Sequence, residues 1–290
     1  MECVNNRKNI YLSSCNNLFA LAKYMLETPA EFSFTAEELA DPDLLKAAIQ
    51  DLLVAEESER GYLWPSFRTY ENQSEEAIYE DTPLGRTKVR DGQYRFMFGI
   101  RENMCVHKAM FTHRTTGNRR VYLIDNQRQM LGTEDSEGNL YGLLVSMIDT
   151  QKMQFSDGSV STKSPIVVDL EDNLEIDENG ALVAVPFINQ LKRVVDVVLA
   201  ISGTPSATTI RLTVKAACDG TNVAGLVAAD FSLIDNSDGN THAISSVAYA
   251  DGIYTLTGVD FEDSVLSLDP PATLSIKAYE ALNSLAINIA

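Results

Sequence analysis

The stretch QYRFMFGI (93–100) decides the fold class. Tyr94, Phe96, Phe98 and Ile100 alternate with Gln93, Arg95 and Met97, the period-two rhythm of a strand with one buried face. Downstream, the same reading predicts strands around 107–113, 119–124, 140–147, 151–155 and 164–170. Turn signals separate them at Thr116-Gly117-Asn118, Glu137-Gly138-Asn139 and Ser156-Asp157-Gly158. Short strands at this regular spacing belong to a sandwich or barrel, not to alternating βαβ units. The meander is expected to close with Ala181 to Val185, after an acidic turn at Asp177 to Gly180.

Upstream of the deciding strand, residues 56–91 mix Tyr62, Trp64, Phe67, Tyr70 and Tyr79 with many charges, and Pro65 and Pro83 break regular structure. A loop this long in a compact domain is uncommon and tends to be functional. Its aromatic content argues against disorder, so it reads as an ordered excursion that packs on another surface. Residues 16–57 read as helical. Leu18, Leu21, Ala22, Met25 and Leu26 recur at helical spacing up to Thr28-Pro29. Thr35 with Glu38 makes a capping box, and Asp41-Pro42 supplies a second N-cap with proline at the first helical position. The helix that follows carries Leu44, Leu45, Ala48, Ile49, Leu52 and Leu53, with the Leu44–Ile49–Leu52 face expected to be buried.

Composition shifts near residue 196. From there to Ala290 three basic residues (Arg211, Lys215, Lys277) stand against eleven acidic ones, and Ser, Thr, Ala and Val dominate. Strand-like runs at 197–202, 210–216, 231–234, 243–250, 253–257, 272–278 and 285–289 have the arithmetic of an immunoglobulin-like sandwich. The expected fold is therefore mainly β: a sandwich or barrel with N-terminal helices over 1–195, and an Ig-like β-sandwich over 196–290. A length of 290 residues accommodates two such domains.

The net charge of −18 argues against general nucleic-acid binding, which needs a surplus of cations to neutralise phosphates. Four widely spaced cysteines (Cys3, Cys15, Cys105, Cys218) show no CxxC pair, so reduced thiols are expected, although a Cys3–Cys15 bridge is conceivable. The apolar run Leu18 to Ala22 is too short for a signal peptide, and no stretch has the length of a membrane span, so no membrane partner is expected.

Sites for chemistry are weak. Cys105, His107 and His113 fall short of the four ligands of structural zinc. The Glu175-x-Asp177-x-Asn179-Gly180 run opens like a calcium loop, but Pro186 stands where its last carboxylate belongs. The run from Asp235 to Asn240 reads as a turn. No GxSxG elbow, GxxxxGK[ST] or GxGxxG occurs. No catalytic residue, metal or cofactor is expected, and the chain reads as non-enzymatic.

One feature stands out. Residues 60–130 carry twelve Lys or Arg against eight Asp or Glu, a net of +4 inside an acidic chain. Arg86, Lys88 and Arg90 alternate just after Glu75-Glu76 and Glu80-Asp81. Complementary patches on one protomer favour head-to-tail contacts, which build rings or filaments. The expected subunit interface is Trp64, Phe67, Tyr70, Tyr79, Arg86, Lys88 and Arg90, with the aromatic residues buried by a neighbouring copy.

The stretches YEDTPLGRTKVRDGQYRFMFGI (79–100) and FSDGSVSTKSPIVVDLEDNLEID (155–177) resemble virion structural proteins of tailed phages of Bacteroidetes hosts. The layout of helix, long loop, antiparallel β domain and appended Ig-like domain is similar to that of tail tube proteins. The resemblance implies hexameric rings stacked into a tube, long loops reaching the adjoining ring, and an Ig-like domain outside. It implies location in the virion, with partners limited to other copies, other virion proteins and DNA as passing cargo. An acidic lumen would let DNA slide. The helices at the N-terminus depart from simple tail tube proteins. Other readings are a capsid decoration, neck or tail-terminator protein, a bacterial surface adhesin, and a hydrolase with an Ig-like accessory domain.

Overall fold

The computed structural model describes residues 19–289 except 84, 114, 116 and 277. Leu18 and the Cys3–Cys15 pair lie outside the described residues. The chain is mainly β and divides into two compact units. The first holds residues up to Lys46, Leu63–Glu102 and Met110–Asn189; the second holds Ala47–Tyr62, Asn103–Ala109 and Gln190–Ala290. No helix among the described residues is long and apolar enough to cross a membrane.

The N-terminal part contains β1 (Ala22–Pro29), β2 (Ser33–Phe34), α1 (Ala36–Ala40), α2 (Pro42–Val54), β3 (Tyr62–Leu63) and β4 (Phe67–Asn72). After these come β5 (Ile78–Thr82), β6 (Gly85–Arg90), β7 (Arg95–Ile100), α3 (Met104–Thr112), β8 (Arg119–Asp125) and β9 (Gln129–Glu134). Next are β10 (Leu140–Tyr141), β11 (Leu143–Thr150), β12 (Ser164–Leu170), α4 (Glu175–Asn179) and β13 (Gly180–Ala184).

The pairings in the first unit build one many-stranded sheet. β8 pairs with β1, β1 with β3, and the chain runs from β3 into β4. β4 pairs with β7, β7 with β12, β12 with β11, and β11 returns to β8. All seven residues of β12 are buried, as expected of a strand covered on both faces. Apolar side chains at alternate positions, among them Phe96, Phe98, Ile148, Ile166 and Val168, are buried along this sheet.

Where a first helix was expected, the chain forms strand β1. Met25, Leu26, Glu27 and Thr28 are all fully buried, so both faces of this strand are covered. A strand buried on both sides loses its alternation and imitates helical spacing over a few residues. Further along, the Thr35–Glu38 capping box is present, with the Glu38 amide donating to Thr35 Oγ1. In α2 the buried side chains are Leu45, Ile49, Leu52, Leu53 and Val54; Ile49 and Leu52 of the expected face are buried, but Leu44 is 45% exposed, so the buried face is rotated from the expected one.

The strand expected at 107–113 is instead α3. Asn103 caps it, its Oδ1 accepting from the Val106 amide at 3.0 Å. Residues 151–155 and the described residues of 272–278 do not form strands, apart from a single bridge at Gln154. Strand β9, not anticipated, pairs with β8, β10 and β13.

The second unit contains β14 (Val195–Ile201), β15 (Thr209–Ala216), β16 (Phe231–Asp235), β17 (Ile244–Ala250), β18 (Ile253–Gly258), β19 (Ser264–Leu268), β20 (Tyr279–Ala281) and β21 (Leu285–Ile287). One sheet has the order β17-β18-β15-β14-β20 and the other β16-β19-β21. Val197, Leu199, Leu212 and Leu256 from the first share one core with Phe231, Leu233, Leu266 and Ile287 from the second. Tyr254 is buried there, its hydroxyl accepting from the Leu226 amide. Segments from the N-terminal half belong to this unit: Arg60 makes a bidentate pair with Glu280, and Gln50 exchanges hydrogen bonds with the Lys192 backbone. Cys105 and Cys218, 113 residues apart, are joined as a disulfide, which corrects the expectation of reduced thiols for this pair.

Candidate assembly surface

The seven residues expected at a subunit contact separate into two groups. Trp64 is 4% exposed. Its backbone amide donates to the Met25 carbonyl at 2.9 Å, and its indole Nε1 donates to Glu27 Oε2 at 2.8 Å. Phe67 is 6% exposed and stacks on Phe98, with ring centres 4.1 Å apart and planes 14° from parallel. Tyr70 is half-buried beside Phe96 and Phe98, and burial pushes its hydroxyl pKa up. Pro65 does not keep this segment out of the sheet, because β4 begins two residues later and pairs with β7. The burial these aromatic side chains require is met inside their own unit.

Glu27 was not anticipated as a site residue. It is fully buried on β1 and accepts from Trp64, from Arg119 Nε at 2.9 Å and, at 3.0 Å, from His113 Nε2. Burial alone would raise its pKa. The His113 hydrogen bond and charge, with Arg119 and Trp64, outweigh that and hold it below the ordinary carboxylate value. The signal in the sequence was a lone carboxylate behind Met25-Leu26 in an apolar stretch. The cluster joins β1, the segment between β3 and β4, the segment after α3 and β8, and its groups are engaged with one another.

Tyr79, Arg86, Lys88 and Arg90 form the second group, on β5 and β6. These strands pair only with each other. At the start of β6, Gly85 takes φ +129°, which L side chains rarely adopt. All of β6 is exposed, with Val89 at 60%, and Ile78 and Tyr79 on β5 are exposed as well. Register places Tyr79 opposite Lys88 and Asp81 opposite Arg86, so aromatic, cationic and anionic groups share one face. The Arg86 guanidinium lies over the Tyr79 ring at 4.6 Å, and its Nε is 3.7 Å from Asp81. Lys88 pairs with Asp91, and Arg90 with Glu75 at 3.0 Å.

The other positions singled out by the sequence have structural partners. Cys105 is in the disulfide, and it and His107, two residues apart on a helix, do not share a face. Glu175 accepts from Arg120, Thr133 and the Leu144 amide, so it pins α4 to the sheet. Asp235 accepts from Ser237 and His242; the Ser237 hydrogen bonds, with His242, hold its pKa down to about 2. No known family model and no curated protein matches the chain.

Proposed function

We propose that this chain is a self-assembling structural protein of a phage virion, a tail tube subunit whose copies form stacked, six-membered rings around a DNA-conducting channel. The β5–β6 hairpin carries the reading. A two-stranded hairpin is marginal in water when nothing covers it. This one leaves Ile78, Tyr79 and Val89 exposed, beside three alternating cations. Tyrosine and arginine are common interface anchors. An arm of this kind suits contact with another copy, as the long loops of tail tube proteins do.

The many-stranded sheet of the first unit supports the reading as a ring-forming body, and the two-sheet second unit as an Ig-like domain on the outside of the tube. The acidic chain suits a channel that repels phosphate. Negative-stain microscopy of the purified protein tests the reading: rings or tubes are expected. Particles no larger than one 31.9 kDa chain at every concentration would overturn it.

A further inference from the structure

Cys105 and Cys218 lie 5.6 Å apart between Cα atoms, within the span a disulfide requires, and both belong to the second unit. Their two sulfur atoms have different surroundings. Cys105 is the second residue of α3, and Asn103 caps that helix, its carbonyl accepting from His107 and its Oδ1 from Val106. The amides of a first helical turn favour an anion, so a thiolate at Cys105 is stabilised there. Cys218 sits in the exposed turn after β15, which the Gly220 amide closes on the Ala216 carbonyl at 3.0 Å. An external thiol therefore reaches Cys218 first, and Cys105 is the better leaving group.

The site also accommodates the reduced pair. Cys218 Sγ lies 3.5 Å from Asn103 Oδ1. A disulfide sulfur has no proton to give, whereas a Cys218 thiol would donate to that oxygen, which has a second lone pair beyond the Val106 bond.

What the bond fastens is lightly packed. α3 is nine residues long, and Met110 is its one fully buried side chain. A helix of that length is marginal without tertiary support. The buried core that holds Val197, Leu212 and Leu266 includes no residue of 103–109. The cross-link joins positions 113 residues apart, so breaking it removes a long-range tie.

We propose that Cys105–Cys218 is a reversible thiol–disulfide switch, which fastens residues 103–109 to the turn after β15 and releases them on reduction. The reductant is a dithiol. Its first thiolate attacks Cys218 Sγ, the Sγ–Sγ bond breaks, and the electron pair leaves on Cys105. Its second thiolate then displaces Cys218 from the mixed disulfide. The dithiol ends as a disulfide, and the protein has gained two electrons and, once both thiolates are protonated, two protons. Exchange with a disulfide oxidant runs the same steps in reverse. The switch operates in the single chain and does not depend on assembly.

Full-length protein equilibrated in mixtures of reduced and oxidised dithiothreitol tests the switch, with free thiols alkylated and mapped by peptide mass spectrometry. Cys105 and Cys218 should become reactive together in one two-electron transition, and reoxidation should restore the bond. After reduction, amide exchange in peptides covering 103–112 should be about tenfold faster or more, with peptides covering 195–268 unchanged. Cys105→Ser and Cys218→Ser, held in oxidising buffer, should each exchange like the reduced parent. A bond that survives excess dithiothreitol while the chain stays folded would overturn the switch. So would reduction that leaves 103–112 as protected as before, or that opens the whole second unit.

Discussion

Strand β4 and the β5–β6 hairpin come from one continuous segment, and they meet opposite fates. Both carry aromatic residues among charges, and both follow a proline or contain one in the turn. β4 lies along β7 and hides Phe67 against Phe98. The hairpin pairs only with itself and leaves Tyr79 and Val89 to solvent. Aromatic content alone therefore does not mark an interface. What separates the two is whether the chain's own sheet offers a free edge beside a matching ring. β7 offers one to β4, whereas the hairpin pairs only with itself.

The comparison predicts a graded set of effects. Trp64→Ala is the largest. It removes a buried indole and one donor from Glu27, and should cost about 3–5 kcal/mol of stability in urea unfolding. The variant would fail as a folded monomer, unlike an interface truncation. Glu27→Gln should cost about 3 kcal/mol, since it leaves Arg119 without its buried carboxylate.

The Glu27 cluster also makes a pH prediction. Its carboxyl pKa is lower folded than unfolded, so the stabilisation is present above the ordinary carboxylate value and is lost as pH falls through the folded value. Stability measured from pH 7 downward should hold to about pH 5 and then decline, and Glu27→Gln should flatten part of that decline. An identical acid profile in both proteins would remove the cluster from the account.

Gly92→Ala comes next in size. A Cβ there would collide with the Glu75 carbonyl at the hairpin root, costing about 1–3 kcal/mol and loosening the arm. Arg86→Glu is the smallest for the isolated chain. With its side chain mostly exposed, it should shift stability by less than about 0.5 kcal/mol while weakening assembly. A large stability loss from Arg86→Glu would mean that the hairpin packs on its own unit.

How much was legible follows the same physical division. The strand over 95–100 and β12 were readable, one because its faces differ and the other because it is a compact β-branched run between turn signals. The starts of α1 and α2 were readable because the Thr35–Glu38 box and Asp41-Pro42 act locally. β1 was not, because tertiary burial on both faces erased its alternation. α3 was missed because its decisive signal is one capping asparagine ahead of a weakly patterned run. The Cys105–Cys218 pair and the Glu27 cluster depend on residues brought together across roughly a hundred positions, which no local pattern encodes. Within the candidate surface, the cations at 86, 88 and 90 were visible as an alternating strand. Their separation from Trp64 and Phe67 was not, since it is set by the free edge of β7.

Amide hydrogen exchange on dissociated and assembled protein tests the central claim most directly, because one experiment reads both halves of the segment. The account predicts that peptides covering 78–90 gain protection on assembly, while those covering 62–72 are protected equally in both states. Protection gained over 62–72 with the hairpin unchanged would contradict it.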